Sequence, residues 1–335
     1  MEKTRVPCGP YNAPVAAQPE AAPTQLVELS RVRARTLEPL LLEEIAVWRR
    51  ELDWDFEPSA ELVRRFVELE SLGGYALLCE GQAVGYAYFV CEERKGLVGD
   101  LYVMEHSRSS EAEGRLLTAV LDAMIARRSV RRIESQLMLL AASLERPLPA
   151  MKHLRRFERQ FMAFEAGRAI ELPVRDQSEA VLDLWQEKRQ EDAARVIAEA
   201  YRGHIDGEVN DQYRSAAGAR RFLHNIVQYP GCGSFFAPAS WLAMERGSRR
   251  LCGLCLASLV AADVGHITQI CVAPAARGRG LGYELLRRSL VSLAEAGMRR
   301  VTLTVTSANR RAIELYHSMG FLTRRRFAAL VWEGF

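Results

Sequence analysis

The sequence predicts a mixed α/β protein built from two tandem copies of one fold. Three observations carry that expectation. The chain has 335 residues, 49% of them hydrophobic, and at about 150 residues per domain this makes roughly two domains, each able to bury a core. Two passages, Asp100 to Leu117 and Gln269 to Leu286, align without a gap at an offset of 169 residues. The same succession of helical and strand-like patterns surrounds both passages, which is the signature of duplication.

The elements follow in order. In the first copy a helical period around Leu40–Glu51 precedes a strand-like pair over Tyr75–Val90, turning at Gly81. In the second, a helical pattern over Ala180–Arg202 precedes the pair Trp241–Val260, turning at Gly247-Ser248. His266–Val272 reads as a strand ended by Ala273-Pro274. The loop Arg277-Gly-Arg-Gly-Leu-Gly282 follows, then a helix over Tyr283–Ala296. That helix buries Leu285, Leu286, Leu290 and Leu293 at spacings of three and four, and Gly297 suits its end. Val301–Val305 alternates as a strand does. Asn309 suits the N-cap of a last helix with Ile313, Tyr316 and Met319 on its apolar positions, and Gly320 stops it. Both copies are thus expected to run helix, hairpin, strand, helix, strand, helix. Gly167 and Pro173 mark the boundary, giving copies over 26–166 and 167–335. Residues 1–25, rich in Pro and Ala without a continuous apolar core, read as a disordered tail and not a signal peptide.

Composition narrows the function classes. Lys and Arg number 45 against 42 Asp and Glu, a net charge of +3, too small for the electrostatic footprint of a nucleic-acid or anionic-membrane binder. No run approaches the ~20 apolar residues of a spanning helix. Seven scattered cysteines fit reduced thiols in a cytoplasmic protein. Cys252 and Cys255 sit in a strand-like run, where residues three apart face opposite sides, and no second ligand pair follows. No metal site is expected.

The chemistry gathers at the loop after His266–Val272. Glycines at 278, 280 and 282 permit unusual φ values and close backbone approach, so several N–H groups converge on an anion. The following helix N-terminus adds its dipole, and Arg277 and Arg279 add positive charge. A phosphate or pyrophosphate suits such a loop. Neither the P-loop nor the G-x-G-x-x-G spacing is present.

The pattern V-x-P-x-x-R-G-x-G-x-G, followed some 25 residues later by N-x-x-A-I-x-L-Y-x-x-x-G-F, resembles the GCN5-related N-acetyltransferase (GNAT) superfamily over Ile267 to Phe321. The resemblance implies two tandem GNAT folds, each a mixed, mostly antiparallel sheet flanked by helices. It implies an acyl-CoA pyrophosphate loop at Arg277, Gly278, Arg279, Gly280, Leu281 and Gly282, with the strand backbone at Cys271 and Val272 hydrogen-bonding the pantetheine arm. Asn309 would touch that arm from the far side. Tyr316 would be the general acid that protonates the leaving thiolate; the residues alone equally allow a core aromatic there. Acetyl-CoA is the implied co-substrate and no metal is needed.

One departure concerns the proton acceptor. Many members carry a Glu on the strand before the loop, whereas this chain reads His266-Ile267-Thr268-Gln269. His266, Asp263, the segment 204–213 with His204, Asp206, Asp211 and Tyr213, and a water chain remain open as the base. The polar and aromatic stretch Tyr201–Phe236, which also carries Tyr229, falls where the fold shapes its acceptor pocket.

The first copy has lost the anion loop. Ser109, Glu111 and Glu113 stand at the offset positions of Gly278, Gly280 and Gly282, and carboxylates in a tight anion pocket oppose phosphate binding by several kcal/mol. No Tyr lies between Val103 and Ala200 to match Tyr316. A degenerate first copy before an active second one is similar to the mycothiol synthase family.

The expectation is therefore an acyl-CoA-dependent N-acyltransferase. It would pass acetyl from acetyl-CoA to a primary amine, a small molecule or a peptide N-terminus or Lys, by direct attack in the second copy. The first copy would be structural or wall the acceptor site. A non-catalytic acyl-CoA sensor, prompted by the missing strand carboxylate, and another nucleotide-phosphate binder are the competing readings.

Overall fold

The alternating runs of both copies join one 13-stranded sheet. A computed structural model describes residues 23–175, 179–229 and 233–335; the expected tail up to Ala22, Cys8 and Cys232 lie outside them. The first copy contributes β1 (Thr24–Glu28), α1 (Ala34–Leu52), α2 (Glu57–Glu68), β2 (Gly73–Cys79), β3 (Gln82–Glu92), β4 (Lys95–Val103), α3 (Ser110–Ile125), β5 (Arg132–Ser135) and β6 (Leu154–Glu165). The second contributes β7 (Ala180–Leu184), α4 (Gln190–Ala200), α5 (Ile205–Val209), α6 (Ala216–Gln228), β8 (Ser234–Phe235), β9 (Trp241–Glu245) and β10 (Leu251–Ala261). It continues with β11 (Val264–Val272), α7 (Leu281–Glu295), β12 (Arg300–Thr306), α8 (Arg310–Met319) and β13 (Leu322–Glu333). The 169-residue offset carries β3 onto β10 and β4 onto β11 end for end.

The strands lie in the order β1-β2-β3-β4-β5-β13-β6-β12-β11-β10-β9-β7, with β8 on β10. Only β4/β5 and β11/β12 pair in parallel, so each copy is mixed and mostly antiparallel. At the centre the last strands are exchanged. β13 closes the second copy in sequence but pairs with β5 of the first, from Leu330↔Ser135 to Glu333↔Arg132. β6 closes the first but pairs with β12 of the second, from Arg300↔Glu165 to Thr306↔Arg159. The cores follow the exchange. Phe327 of β13 packs with Phe161 of β6 among the side chains of α1 and α2, and Trp332 packs under α3.

Several elements depart from the sequence expectation. Ala180–Leu184 is not helical but an edge strand on β9, because its apolar residues find an open sheet edge before the helix begins at Gln190. β1 and β13 carry no clean alternation and were not expected. The first copy has no final helix. Residues 141–150 form turns in its place, since Pro147 and Pro149 each remove an N–H donor and clash with the preceding turn. Cys252 and Cys255 do not face opposite ways. A register shift between Leu251 and Gly253 places an extra residue in β10, and both thiols lie in the core beneath α7. Burial pushes the Cys255 thiol up to about 12. Among the described residues no group of three or more His, Cys, Asp or Glu could hold a metal ion, and no helix is long and apolar enough to cross a membrane.

Candidate active site

The site opens where β11 leaves β12. The parallel pair runs only from Val264↔Arg300 to Ile267↔Leu303. A register shift in the β10/β11 pair then leaves Thr268 as an extra residue, and the strong local twist of such a bulge turns β11 away from its neighbour. Residues beyond Ile267 therefore have no strand partner on that edge. The first copy has the same bulge at Gly99, the residue 169 positions earlier.

The glycine loop lies at the end of this splayed edge. Gly278 and Gly280 sit at φ +83° and +76°, a region that costs other residues about 1–2 kcal/mol. Gly280 is the N-cap of α7 and no side chain caps the helix, so the first-turn N–H groups point outward with the positive end of the dipole behind them. Gly282 has no such φ, and a Cβ there would meet Val272 Cγ2 at an ordinary 3.7 Å. A cavity of 420 Å3 fills the angle between β11, this helix start and α8. Its lining brings together Cys271, Val272, Arg277, Gly278, Gly280, Leu281, Gly282, Asn309 and Tyr316. It does not include Arg279, whose guanidinium turns away to pair with Glu179. Arg277 braces the loop from beneath, donating from Nε to Val272 O at 3.1 Å and from Nη2 to Ala200 O at 2.7 Å.

Helix α8 supplies the opposite wall. Asn309 caps it, its side-chain oxygen accepting from Ala312 N, and Gly320 ends it at φ +99°. Tyr316 faces inward and is buried; burial, with the nearby Cys255 and Asp206, holds its phenol protonated far above the usual range. A second cavity, of 490 Å3, lies on the other side of Tyr316. Tyr201, Ile270, Asn309, Ala312 and Tyr316 border both. Its walls come from both copies: Lys95, Glu134, Ser135 and Arg159 from the first, and Asp206, Tyr213, His266 and Gln269 from the second.

The proton-acceptor candidates separate in space. Asp263 is exposed at a strand turn and held by Arg299 at 2.9 Å. His266 lines the second cavity but is buried, its Nδ1 2.9 Å from Thr302 Oγ1. Burial and then Arg159 push its pKa down to about 3. Asp206 also lines that cavity, bonded to the Thr306 hydroxyl and 3.4 Å from His204 Nδ1. Sequence reasoning missed Arg175 and Arg311 in the first cavity, and took in Tyr201 only as the start of the stretch Tyr201–Phe236. Arg175 lies 3.9 Å over the Tyr283 ring, and Tyr201 donates its phenol proton to Ile270 O at 3.2 Å. Arg311, two residues past the Asn309 cap, was within reach of the motif; the other two come from separate segments.

The first copy shows what the loop becomes without glycine. Ser109 caps α3 through Ala112 N at φ −147°. Glu113, at the place of Gly282, is buried against Arg146 at 2.6 Å, and Arg146 stands 169 residues before Leu315 of the cavity wall. Glu111 is exposed. The carboxylate that takes the place of Gly282 is therefore that of Glu113, buried against Arg146.

Residues 207–321 match the acetyltransferase (GNAT) family. A mycothiol acetyltransferase from Acidimicrobium ferrooxidans is 35% identical over 104 residues, 30% of this chain and 33% of that protein. The chain spans about a third of the length of the first curated relatives it matches. In fold it is similar to a GCN5-related N-acetyltransferase from Sphaerobacter thermophilus, with a TM-score of 0.62 at 19% identity over 93% of this chain and 97% of that one. It is equally similar to a tandem GNAT protein from the clavulanic acid biosynthesis pathway, with a TM-score of 0.62 at 15% identity over 93% and 98%.

Proposed function

We propose that this chain, a GNAT-superfamily protein of tandem architecture, is an acyl-CoA-dependent N-acyltransferase whose one active site lies in the second copy. The observation that carries the reading is the position of Tyr316, a buried phenol between an anion-binding cavity and a polar cavity built by both copies. Acetyl-CoA is the co-substrate and supplies a thioester. The residues present fit it: an uncapped helix start and two left-handed glycines for the pyrophosphate, and the unpaired edge of β11 at Cys271 and Val272 for an amide-bearing arm. Arg277 holds that edge and the loop in one geometry. Arg175 and Arg311 add positive charge at the mouth, where Arg279 does not reach.

In the second cavity the chain must accept a proton from an ammonium before the nitrogen attacks the thioester carbonyl. Asp206 is the residue we assign. It carries the negative charge that draws a cation, and it lies beside Tyr316. His266 also lines this cavity, but it is buried and its Nδ1 is engaged with Thr302 Oγ1. Tyr316 keeps its proton through the working pH range and gives it to the departing thiolate. The first copy has no acyl-CoA site of its own and serves as the far wall of the acceptor cavity.

The test is release of free thiol from acetyl-CoA across a panel of primary amines. Tyr316→Phe is expected to lower kcat by 10²–10⁴-fold with the KM for acetyl-CoA unchanged, as loss of a general acid does. Gly280→Glu is expected to abolish saturation by acetyl-CoA. Normal turnover in either variant overturns the assignment.

A further inference from the structure

A third cavity, of 390 Å3, lies beside the second, between the first copy and the β8 and β10 segments of the second copy, with Gly99 and Gln136 forming part of both walls. Four aromatic side chains line it: Trp48, Trp54, Phe56 and Tyr88. Trp48 stacks on Phe56 at 4.9 Å and meets Trp54 at 5.7 Å. Two carboxylates, Asp55 and Asp100, also line it, and no lysine or arginine does. Asp100 is 8% exposed, and behind it lies Glu44, which is fully buried. The Tyr86 hydroxyl reaches both, at 2.9 Å to Glu44 Oε2 and 3.4 Å to Asp100 Oδ2. Trp48 Nε1 donates to Glu44, and Leu101 N donates to Asp100 at 2.8 Å.

Two carboxyl groups this close and this dry share one proton. Burial and then the neighbouring Asp100 raise the Glu44 pKa well above the usual range, and burial raises that of Asp100 as well; of the two carboxyl groups it is Asp100 that borders the cavity. Among the described residues no cation pairs with either. A carboxylate at this depth without a cation partner costs several kcal/mol, and Asp100 borders the aromatic-walled cavity. A metal ion would require several oxygen ligands, and no such cluster exists among the described residues. An organic ammonium, by contrast, is attracted both to a carboxylate and to ring faces.

We propose that the first copy holds an organic ammonium ion between Asp100 and the faces of Trp48, Trp54 and Tyr88. Asp100 occupies the offset position of Gln269, whose Nε2 is buried without a partner in the wall of the acceptor cavity. The same strand position thus faces a pocket in both copies, with an amide in one and a carboxylate in the other. The cation is either a separate small ion or the far end of an acceptor long enough to pass Gly99. A separate ion does not depend on the acyl-transfer reading; an acceptor's far end rests on it.

Titration of the full chain with tetramethylammonium chloride, and separately with spermidine, at ionic strength held constant with sodium chloride tests it through tryptophan fluorescence. Saturable binding of at least one is expected, weakened at least tenfold in Asp100→Asn and within twofold of wild type in Glu44→Gln, which mimics the protonated acid. Tyr316→Phe is expected to bind as wild type does. The urea midpoint of Asp100→Asn is expected at or above the wild-type value, so that lost binding is not lost folding. Saturation by tetramethylammonium assigns the site to a separate ion, and saturation by spermidine alone assigns it to the acceptor's far end. No saturable response to either cation, or Asp100→Asn binding as tightly as wild type, overturns the proposal.

Discussion

Arg108 and Arg277, 169 residues apart, make the same hydrogen bond. Each guanidinium folds back to the carbonyl five residues earlier, Arg108 Nε to Val103 at 3.2 Å and Arg277 Nε to Val272 at 3.1 Å. Both copies keep this brace although only the second has glycines at 278, 280 and 282 in the loop above it. The brace is thus a property of the fold, and the second bond of Arg277, to Ala200 O, belongs to the cavity. Hydrogen bonds from a charged group are each worth ~1.5–3 kcal/mol. Arg277→Ala is therefore expected to raise the KM for acetyl-CoA about tenfold or more, while Arg108→Ala lowers stability by ~1–2 kcal/mol and leaves that KM unchanged. Steady-state kinetics and urea unfolding of the two variants check the contrast.

The glycine loop and α8 were legible because their chemistry is local. Left-handed φ at Gly278, Gly280, Gly297 and Gly320 selects glycine, and Asn309 caps the residues beside it. The elements that the sequence hid depend on distant partners. β13 begins with Leu322-Thr-Arg-Arg-Arg326 and becomes a strand because β5 and β6 flank it. β7 is short and finds β9 only in the folded sheet. The second cavity was half legible: Asp206 and Tyr213 lay in the stretch singled out, but Lys95, Glu134 and Arg159 come from the first copy and meet them only in the folded sheet. Nor does Glu113 signal from sequence that Arg146 pairs with it.

That pair gives the second prediction. Glu113 and Arg146 are both nearly buried, with side-chain exposures of 3% and 9%. Removing one partner strands a charge, whereas replacing both with apolar residues of similar size does not. Arg146→Met is expected to destabilise by about 3–5 kcal/mol. The double variant Glu113→Leu with Arg146→Met is expected to recover most of that loss. Urea unfolding of the two single variants and the double provides the cycle. A loss in the double variant equal to the sum of the two single losses would show that the pair carries no coupling.

The third prediction concerns acid. His266 is neutral in the fold, held by Thr302 and packed edge-on against Trp54 at 4.9 Å. In the unfolded chain its imidazole protonates near pH 6.5, but in the folded chain only near 3. The unfolded state therefore binds the extra proton throughout that window, and stability falls as pH drops from 6.5 toward 3, with no dependence above it. At 1.36 kcal/mol per pH unit the loss reaches about 4–5 kcal/mol. His266→Gln retains a hydrogen-bonding group for Thr302 without the titration. Its unfolding midpoint is expected to fall less steeply than that of wild type between pH 6 and 4, and an unchanged slope would contradict the account.

The strand exchange makes the two copies one folding unit. Cutting the chain at Gly167 would leave β6 without β12 and β13, its only neighbours, and would strip β5 of β13. The first fragment would lose Phe327, Val260 and Val264 from the core under α1 and Trp332 from the core under α3. The second would expose the whole inner edge of β12. Long unpaired edges beside apolar faces aggregate unless another strand covers them. Residues 1–167 and 168–335 expressed alone are therefore expected to lack a cooperative unfolding transition. Expressed together they are expected to purify as a 1:1 pair with a transition near that of the intact chain. A cooperative transition in either fragment alone would mean that its copy closes its own sheet, and the exchanged strands would then be dispensable to the fold.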